Sequence, residues 1–344
     1  MKVGYVAPAS ISIVNGGIRT QANMTIDHIQ AFGVDPIKLS PWDKNVDWSD
    51  LDLIHVFGAT AENSGIIPRL SDLAVPIVLS PIFFSRRSAK IIRLSVRFDK
   101  LISFMGNGIR SDFSLKSELC NLADRLLPYT TKEAQLIEEG FDVPPSKINV
   151  VSNGVEKRFS DANKSLFVEK YGLDEFILFA GQANAKRKNV IHLIKAANEL
   201  NVPVVIIGTF GEDTYSRKCL ELANKAENIV LIDSIDHDSE MLSSAYAAAK
   251  VFVLPSYYET PGIAALEAGL ANTNIAITKY GGTMEYFGNH AFYLDPYSEH
   301  SIRDSINQAL DAIIDPALKT HILNNYTWEK VAEQTYEQYK EVLQ

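Results

Sequence analysis

Short apolar runs alternate with amphipathic segments along the whole chain. Residues 3–7, 53–57, 77–79 and 125–127 read as strands in the first half. In the second half the strand-like runs are 176–179, 204–207, 229–231, 251–254 and 275–277. Helical periodicity over 18–31, 190–200, 239–249 and 302–314 separates most of them. Continuous apolar strands alternating with helices predict parallel sheets covered on both faces. The pattern restarts near Phe176, after a polar stretch from 157 to 164. The expected architecture is therefore α/β, with two doubly wound Rossmann-like domains and a hinge near residues 152–165. Ligands of such sheets bind at the carboxyl ends of the strands, so chemistry is expected in the loops that follow them.

Composition narrows the picture. The 344 residues suit two domains, and 46% hydrophobic with 22% charged residues excludes a disordered or fibrous chain. The formal charge is −9, from 33 basic and 42 acidic residues, which argues against a nucleic-acid partner. The charge is uneven. Residues 1–160 hold 18 Lys and Arg against 17 Asp and Glu, whereas residues 161–344 hold 15 against 25. Cys120 and Cys219 stand far apart and outside any Cys-x-x-Cys spacing, so they read as buried thiols in a reducing compartment. The first eight residues read as a strand rather than a signal peptide. The longest apolar stretch, 75–84, is broken by Pro76, Ser80 and Pro81, well short of a membrane span. The expected location is cytoplasmic, with peripheral contact at the inner face of the cell membrane.

Three constellations follow strands. Asn15-Gly16-Gly17 lies between the first strand and the first helix, where paired glycines and helix amides suit a phosphate. Gly181-Gln182 leads into Lys186-Arg187-Lys188, three cations able to neutralise a diphosphate. Glu259-Thr260-Pro261-Gly262-Ile263 leads to Glu267. Pro261 is expected as the first residue of a helix. Glu259 then lies at its mouth and Glu267 in its second turn, where carboxylates can meet sugar and ribose hydroxyls. Asp50-Leu51-Asp52 and Asp236-His237-Asp238 read as a turn acid and a helix start rather than metal sites. His55 reads as a packing residue rather than a base. No cofactor and no metal are expected.

These elements together resemble the family-4 retaining glycosyltransferases of GT-B fold, over nearly the whole chain. The Glu-x7-Glu element at Glu259 and Glu267 is the most specific mark. Asp52-Leu53-Ile54-His55, the stretch Ile148-Asn149-Val150-Val151-Ser152-Asn153-Gly154-Val155, the loop Gly281-Gly282-Thr283-Met284-Glu285 and the ending Tyr326-Thr327-Trp328-Glu329 also resemble the family. The resemblance implies two Rossmann-like domains facing across a cleft. Residues 1–160 would form the acceptor-side domain, with a helix at about 327–344 packing back on it, and 161–326 the donor domain. Lys188 would stabilise the donor diphosphate, helped by Arg187. Glu259 would orient the transferred sugar, Glu267 would bind the ribose, and the Pro261-Gly262-Ile263 backbone would meet phosphates and sugar. Gly16 and Gly17 would close on the donor. The chain departs from the family at two places: Gln182 replaces an arginine, and Ser80-Pro81 stands where many members have a donor-contacting histidine.

The expected function is transfer of a sugar from a UDP- or GDP-sugar to a hydroxyl of a glycan or lipid-linked acceptor, with retention, in bacterial surface polysaccharide synthesis. Other GT-B chemistry on a nucleotide sugar, or a catalytically impaired nucleotide-sugar-binding protein, is the alternative. Arg86, Lys90, Arg93, Arg97 and Lys100 recur at helical spacing, with Asp99 the one acid in the segment. That basic face is expected to meet anionic lipid headgroups or a lipid-diphosphate acceptor.

Overall fold

The computed structural model describes residues 1–13, 16–40, 47–104 and 111–344. Asn15 of the first glycine loop lies outside them. The chain divides into two compact units, Met1–Gly154 with Trp328–Gln344, and Val155–Thr327. The division falls after Gly154, ahead of the expected 160/161. Its cause is local: the Val155 amide bonds to the Tyr326 carbonyl, and Phe159 is buried in the core of the second unit.

The first unit carries β1 (Lys2–Val6), β2 (Asp35–Lys38), β3 (Leu53–Phe57), β4 (Ile77–Ser80) and β5 (Arg125–Leu126). They form an all-parallel sheet in the order β2-β1-β3-β4-β5. Every residue of β3 and β4 is buried, which is why both read as unbroken apolar runs. The sequence reading missed β2. It is an edge strand of Asp-Pro-Ile-Lys with exposed ends, and its proline and charges hide it.

The helix Trp328–Val342 completes this unit. Trp328, Val331 and Tyr339 enter a core with Val3, Leu53, Phe57 and Ile29. A buried polar chain pins it there. The Tyr339 hydroxyl donates to the Tyr5 hydroxyl at 3.3 Å and lies 2.6 Å from His55 Nδ1, while His55 Nε2 lies 3.0 Å from Ser80 Oγ. With Tyr339 donating to Tyr5, His55 donates from Nδ1 and accepts from Ser80. Burial pushes the His55 pKa down to about 3, so the imidazole is neutral and structural.

The second unit carries β6 (Phe176–Ala180), β7 (Val204–Ile207), β8 (Ile229–Ile232), β9 (Ala249–Leu254), β10 (Asn274–Thr278) and β11 (Phe292–Leu294). Their parallel order is β11-β10-β9-β6-β7-β8. β6 and β9 are central neighbours, and the loops after them carry the second and third constellations. The three-residue edge strand β11 was too short to read from sequence. Among the described residues, no helix is long and apolar enough to cross a membrane.

Candidate nucleotide-sugar site

Two loops of the second unit build the first half of the site. After β6, Lys186–Lys188 winds into a tight turn that ends at Asn189, whose backbone is left-handed with φ 58°. The buried Asn189 amide donates to the Pro255 carbonyl at 3.0 Å and to the Pro296 carbonyl at 2.8 Å. This ties the basic turn to the end of β9, and the Tyr257 amide adds a bond to the Arg187 carbonyl at 2.9 Å. Sequence reasoning gave Asn189 no role.

The result is a cluster on one atom. Glu259 Oε1 accepts from Lys188 Nζ at 2.7 Å and from Ser256 Oγ at 2.6 Å, and it pairs with the Arg187 guanidinium at 3.0 Å, which itself donates to the Tyr258 carbonyl at 2.9 Å. No donor reaches Glu259 Oε2 among the described residues. The carboxyl group is buried, which alone would raise its pKa, but Lys188 and Arg187 outweigh burial and hold it below its ordinary value. Glu259 is therefore ionised, and it is not the solvated loop acid that a lone glutamate would suggest. Only two of the three cations join it, for Lys186 is exposed. Lys188 spends one of its three donors on Glu259 and keeps two for another anion.

Glu259 is held by close backbone approach. Its amide bonds to the Tyr280 carbonyl at 3.1 Å, and its carbonyl accepts from the Gly282 amide at 2.8 Å. Gly281 has φ 103°, and a Cβ there would fall on the Glu259 carbonyl oxygen. The Gly281-Gly282 loop is thus required by the chain's own packing.

The helix after Glu259 differs from the expectation. Pro261 is not its first residue. The helix is Ile263–Leu270, and Gly262 caps it with a left-handed backbone at φ 79°. A proline directly before a residue of positive φ serves as a turn former rather than a helix start. The free amides of Ile263 and Ala264 still open at this end of the helix.

Glu267, in the second turn, is buried and held at both oxygens. Oε1 lies 2.8 Å from His237 Nε2, and Oε2 accepts from the Tyr246 hydroxyl at 2.8 Å. Each oxygen keeps one lone pair for a further donor. The hydrogen bond to Glu267 raises the His237 pKa to about 9, against the opposing effect of burial, so the imidazole is cationic at neutral pH. The Phe159 ring meets both His237 and Tyr246 edge to face. Sequence reasoning treated His237 as part of a helix start and missed it. Its contact with Glu267 spans 30 residues of chain, so no local pattern signals it.

Glu156, His237 and Asp238 bring ligand atoms within 4.8 Å of one another. Within this group the His237 ring lies 3.2 Å from Asp238 and 3.8 Å from Glu156. Gln182 is exposed, and Gly181 has φ 149°. Gly16 and Gly17 belong to the first unit, at the start of the helix Gly17–Ile29. Among the described residues, a Cβ on either would meet nothing within 4 Å. Ser80 is buried against His55.

The basic series of the first unit needs correction. The helix is Ala89–Phe104, so Arg86 precedes it. Arg93 bonds to the Glu139 carbonyl at 2.6 Å, in the helix Thr131–Phe141, and pairs with Asp142, the residue that ends that helix, at 3.5 Å. Asp99 accepts from the Ser111 amide at 2.9 Å and from its hydroxyl. Lys90, Arg97 and Lys100 remain exposed and outside any ion pair among the described residues.

Residues 162–319 match the family model described as glycosyl transferases group 1. An uncharacterized glycosyltransferase of Methanocaldococcus jannaschii is 27% identical over 248 residues, 66% of this chain and 58% of that protein. The chain thus spans a little over half the length of the curated relatives it matches. Two solved structures match almost end to end. A sucrose-phosphate synthase from Thermosynechococcus elongatus has a TM-score of 0.75 at 15% identity, over 99% of both chains. Anabaena HepE in complex with UDP has a TM-score of 0.74 at 14% identity, over 99% of this chain and 100% of that one. The two parallel α/β sheets are those of the GT-B fold.

Proposed function

We propose that the protein is a retaining, metal-independent glycosyltransferase that moves a sugar from a nucleoside-diphosphate donor to a hydroxyl of a glycan or lipid-linked acceptor. The observation that carries this reading is the convergence of Lys188 and Arg187 on the buried Glu259, beside the amino end of the Ile263–Leu270 helix. Breaking a glycosyl–phosphate bond builds negative charge on the departing diphosphate. Lys188, Arg187 and the helix amides are fixed donors for that charge, at no cost of reorganisation. Glu259 Oε2 then takes a sugar hydroxyl, and the remaining lone pairs of Glu267 take the vicinal hydroxyls of a ribose. The chain's resemblance to the retaining enzymes supports attack from the face the diphosphate leaves, with a donor phosphate oxygen accepting the acceptor proton. The similarity to HepE, solved with UDP, supports a uridine nucleotide. Cytoplasmic synthesis of a bacterial surface polysaccharide, peripheral to the inner membrane face, is the setting this chemistry fits.

The test is a thermal-shift panel of UDP, GDP and ADP, run in a metal chelator, on wild type and Glu267→Gln. A true ligand at about 100 times its Kd adds roughly 2.7 kcal/mol of stability. One nucleotide is expected to raise the melting temperature of wild type and to do so less in the variant. No shift with any nucleotide, or a shift only when a divalent cation is supplied, contradicts the reading or its metal-independent part respectively.

A further inference from the structure

The Ala89–Phe104 helix presents an apolar stripe to solvent. Ile91, Leu94, Phe98 and Leu101 are 50%, 66%, 61% and 61% exposed. Their spacing of three, four and three residues puts all four on one face. The same helix buries Ala89, Ile92 and Val96 in the core of the first unit, so its fold is satisfied without the stripe. Ordinary surfaces scatter single exposed apolar residues, and a contiguous row of four marks a contact site. The row bordering the stripe is cationic. Lys90, Arg97 and Lys100 are exposed, and among the described residues no acid pairs with them. The acid on the helix, Asp99, is turned to Ser111, and Arg93 is turned to Asp142. Around the helix the order is core, cations, exposed apolar stripe.

We propose that this helix lies flat in the interface of an anionic lipid bilayer, with Ile91, Leu94, Phe98 and Leu101 inserted among the headgroups and Lys90, Arg97 and Lys100 on lipid phosphates. Charge complementarity selects this occupant. An apolar stripe beside unpaired cations needs a surface that is oily within and negative at its rim, which an anionic membrane supplies. The inference goes beyond the transferase reading and stands on different residues. Its mechanism also differs from attraction of a basic face alone, because insertion makes binding outlast the screening of charge.

The experiment is co-sedimentation of the whole chain with phosphatidylcholine vesicles, with and without about an equal share of phosphatidylglycerol, in roughly 0.1 M salt, where the Debye length is about 10 Å. No sugar nucleotide is present, so failure here leaves the sugar-transfer chemistry untouched and removes only the membrane setting proposed with it. Wild type is expected to sediment with the mixed vesicles and not with phosphatidylcholine alone. Leu94→Ser with Phe98→Ser is expected to lower binding at least about tenfold. Both sites are exposed, and an unchanged circular dichroism spectrum verifies the fold. Lys90→Glu with Arg97→Glu is expected to weaken binding as well. Phe98→Trp is expected to emit at shorter wavelength when vesicles are added. Three results overturn the proposal: no binding to mixed vesicles at low salt, a serine variant that binds as wild type does, or a bound Phe98→Trp chain with unchanged emission. A wild-type dimer that the serine variant dissolves, without vesicle binding, assigns the stripe to a second copy instead.

Discussion

Glu259 and Glu267 are both buried carboxylates, and each is held by different partners for a different reason. At Glu259, two donors and the Arg187 charge crowd one oxygen, and among the described residues no donor reaches the other. A buried ion pair of this kind is a poor source of stability, since apolar residues of similar volume often serve as well. The arrangement is better explained by chemistry that needs a fixed charge. At Glu267 the partners are Tyr246 and a protonated His237. The His237 pKa in the folded chain, about 9, exceeds its ordinary value of 6.5. Its contribution to stability is therefore complete below about pH 6.5 and fades as pH rises through about 9. The ring is 44% exposed, so solvent screening keeps the contribution small. Urea unfolding of wild type and His237→Gln near pH 6, 7.5 and 9.5 is expected to give a stability gap that narrows as pH rises. A gap that stays constant or widens contradicts the ion pair.

Among the elements, the fully buried strands were legible, as were the edge strands β5 and β8, whereas the edge strands β2 and β11 were not. β3, β4, β6, β7, β9 and β10 read directly because both faces are covered and the apolar run is continuous. β2 is hidden by its proline and its charged ends, and β11 by its length of three residues. The start of the Ile263–Leu270 helix was misplaced because Pro261 is a strong helix-start signal, and the left-handed turn at Gly262 overrides it. The loop Gly281-Gly282 was recognised as a motif, but its reason lies in three dimensions. It lets the chain pass against the backbone of Glu259. Gly281→Ala is accordingly expected to destabilise the protein by at least about 2 kcal/mol, since it forces both an unfavourable φ and a backbone clash. Chemical denaturation measures this, and a variant as stable as wild type would refute the packing described for that loop.

At the scale of the molecule, the chain forms two compact units, Met1–Gly154 with Trp328–Gln344 and Val155–Thr327. The acidic surplus belongs to residues 161–344, yet the candidate site within them gathers cations on a buried carboxylate. The first unit is near neutral in sum, and that average conceals an exposed cation row beside an apolar stripe. Helical spacing revealed the cations. It could not reveal which apolar residues face solvent, because that depends on how the helix is turned against the core. Motif spacing singled out Lys188, Arg187, Glu259 and Glu267 as candidates, and the fold pairs the first two with Glu259. Asn189, Ser256, Tyr246 and His237, which hold them, were assigned no role, because they act through contacts that folding alone creates.

The central claim is that Lys188 stabilises the charge of a departing diphosphate. The most direct measurement is the turnover of a saturating nucleotide sugar, carrying the base that gives the largest thermal shift, by wild type and Lys188→Ala. Loss of one strong oxyanion donor lowers turnover on the order of 10²–10³-fold. The account predicts a fall of that size in a variant that still folds. Turnover close to wild type in Lys188→Ala would contradict it.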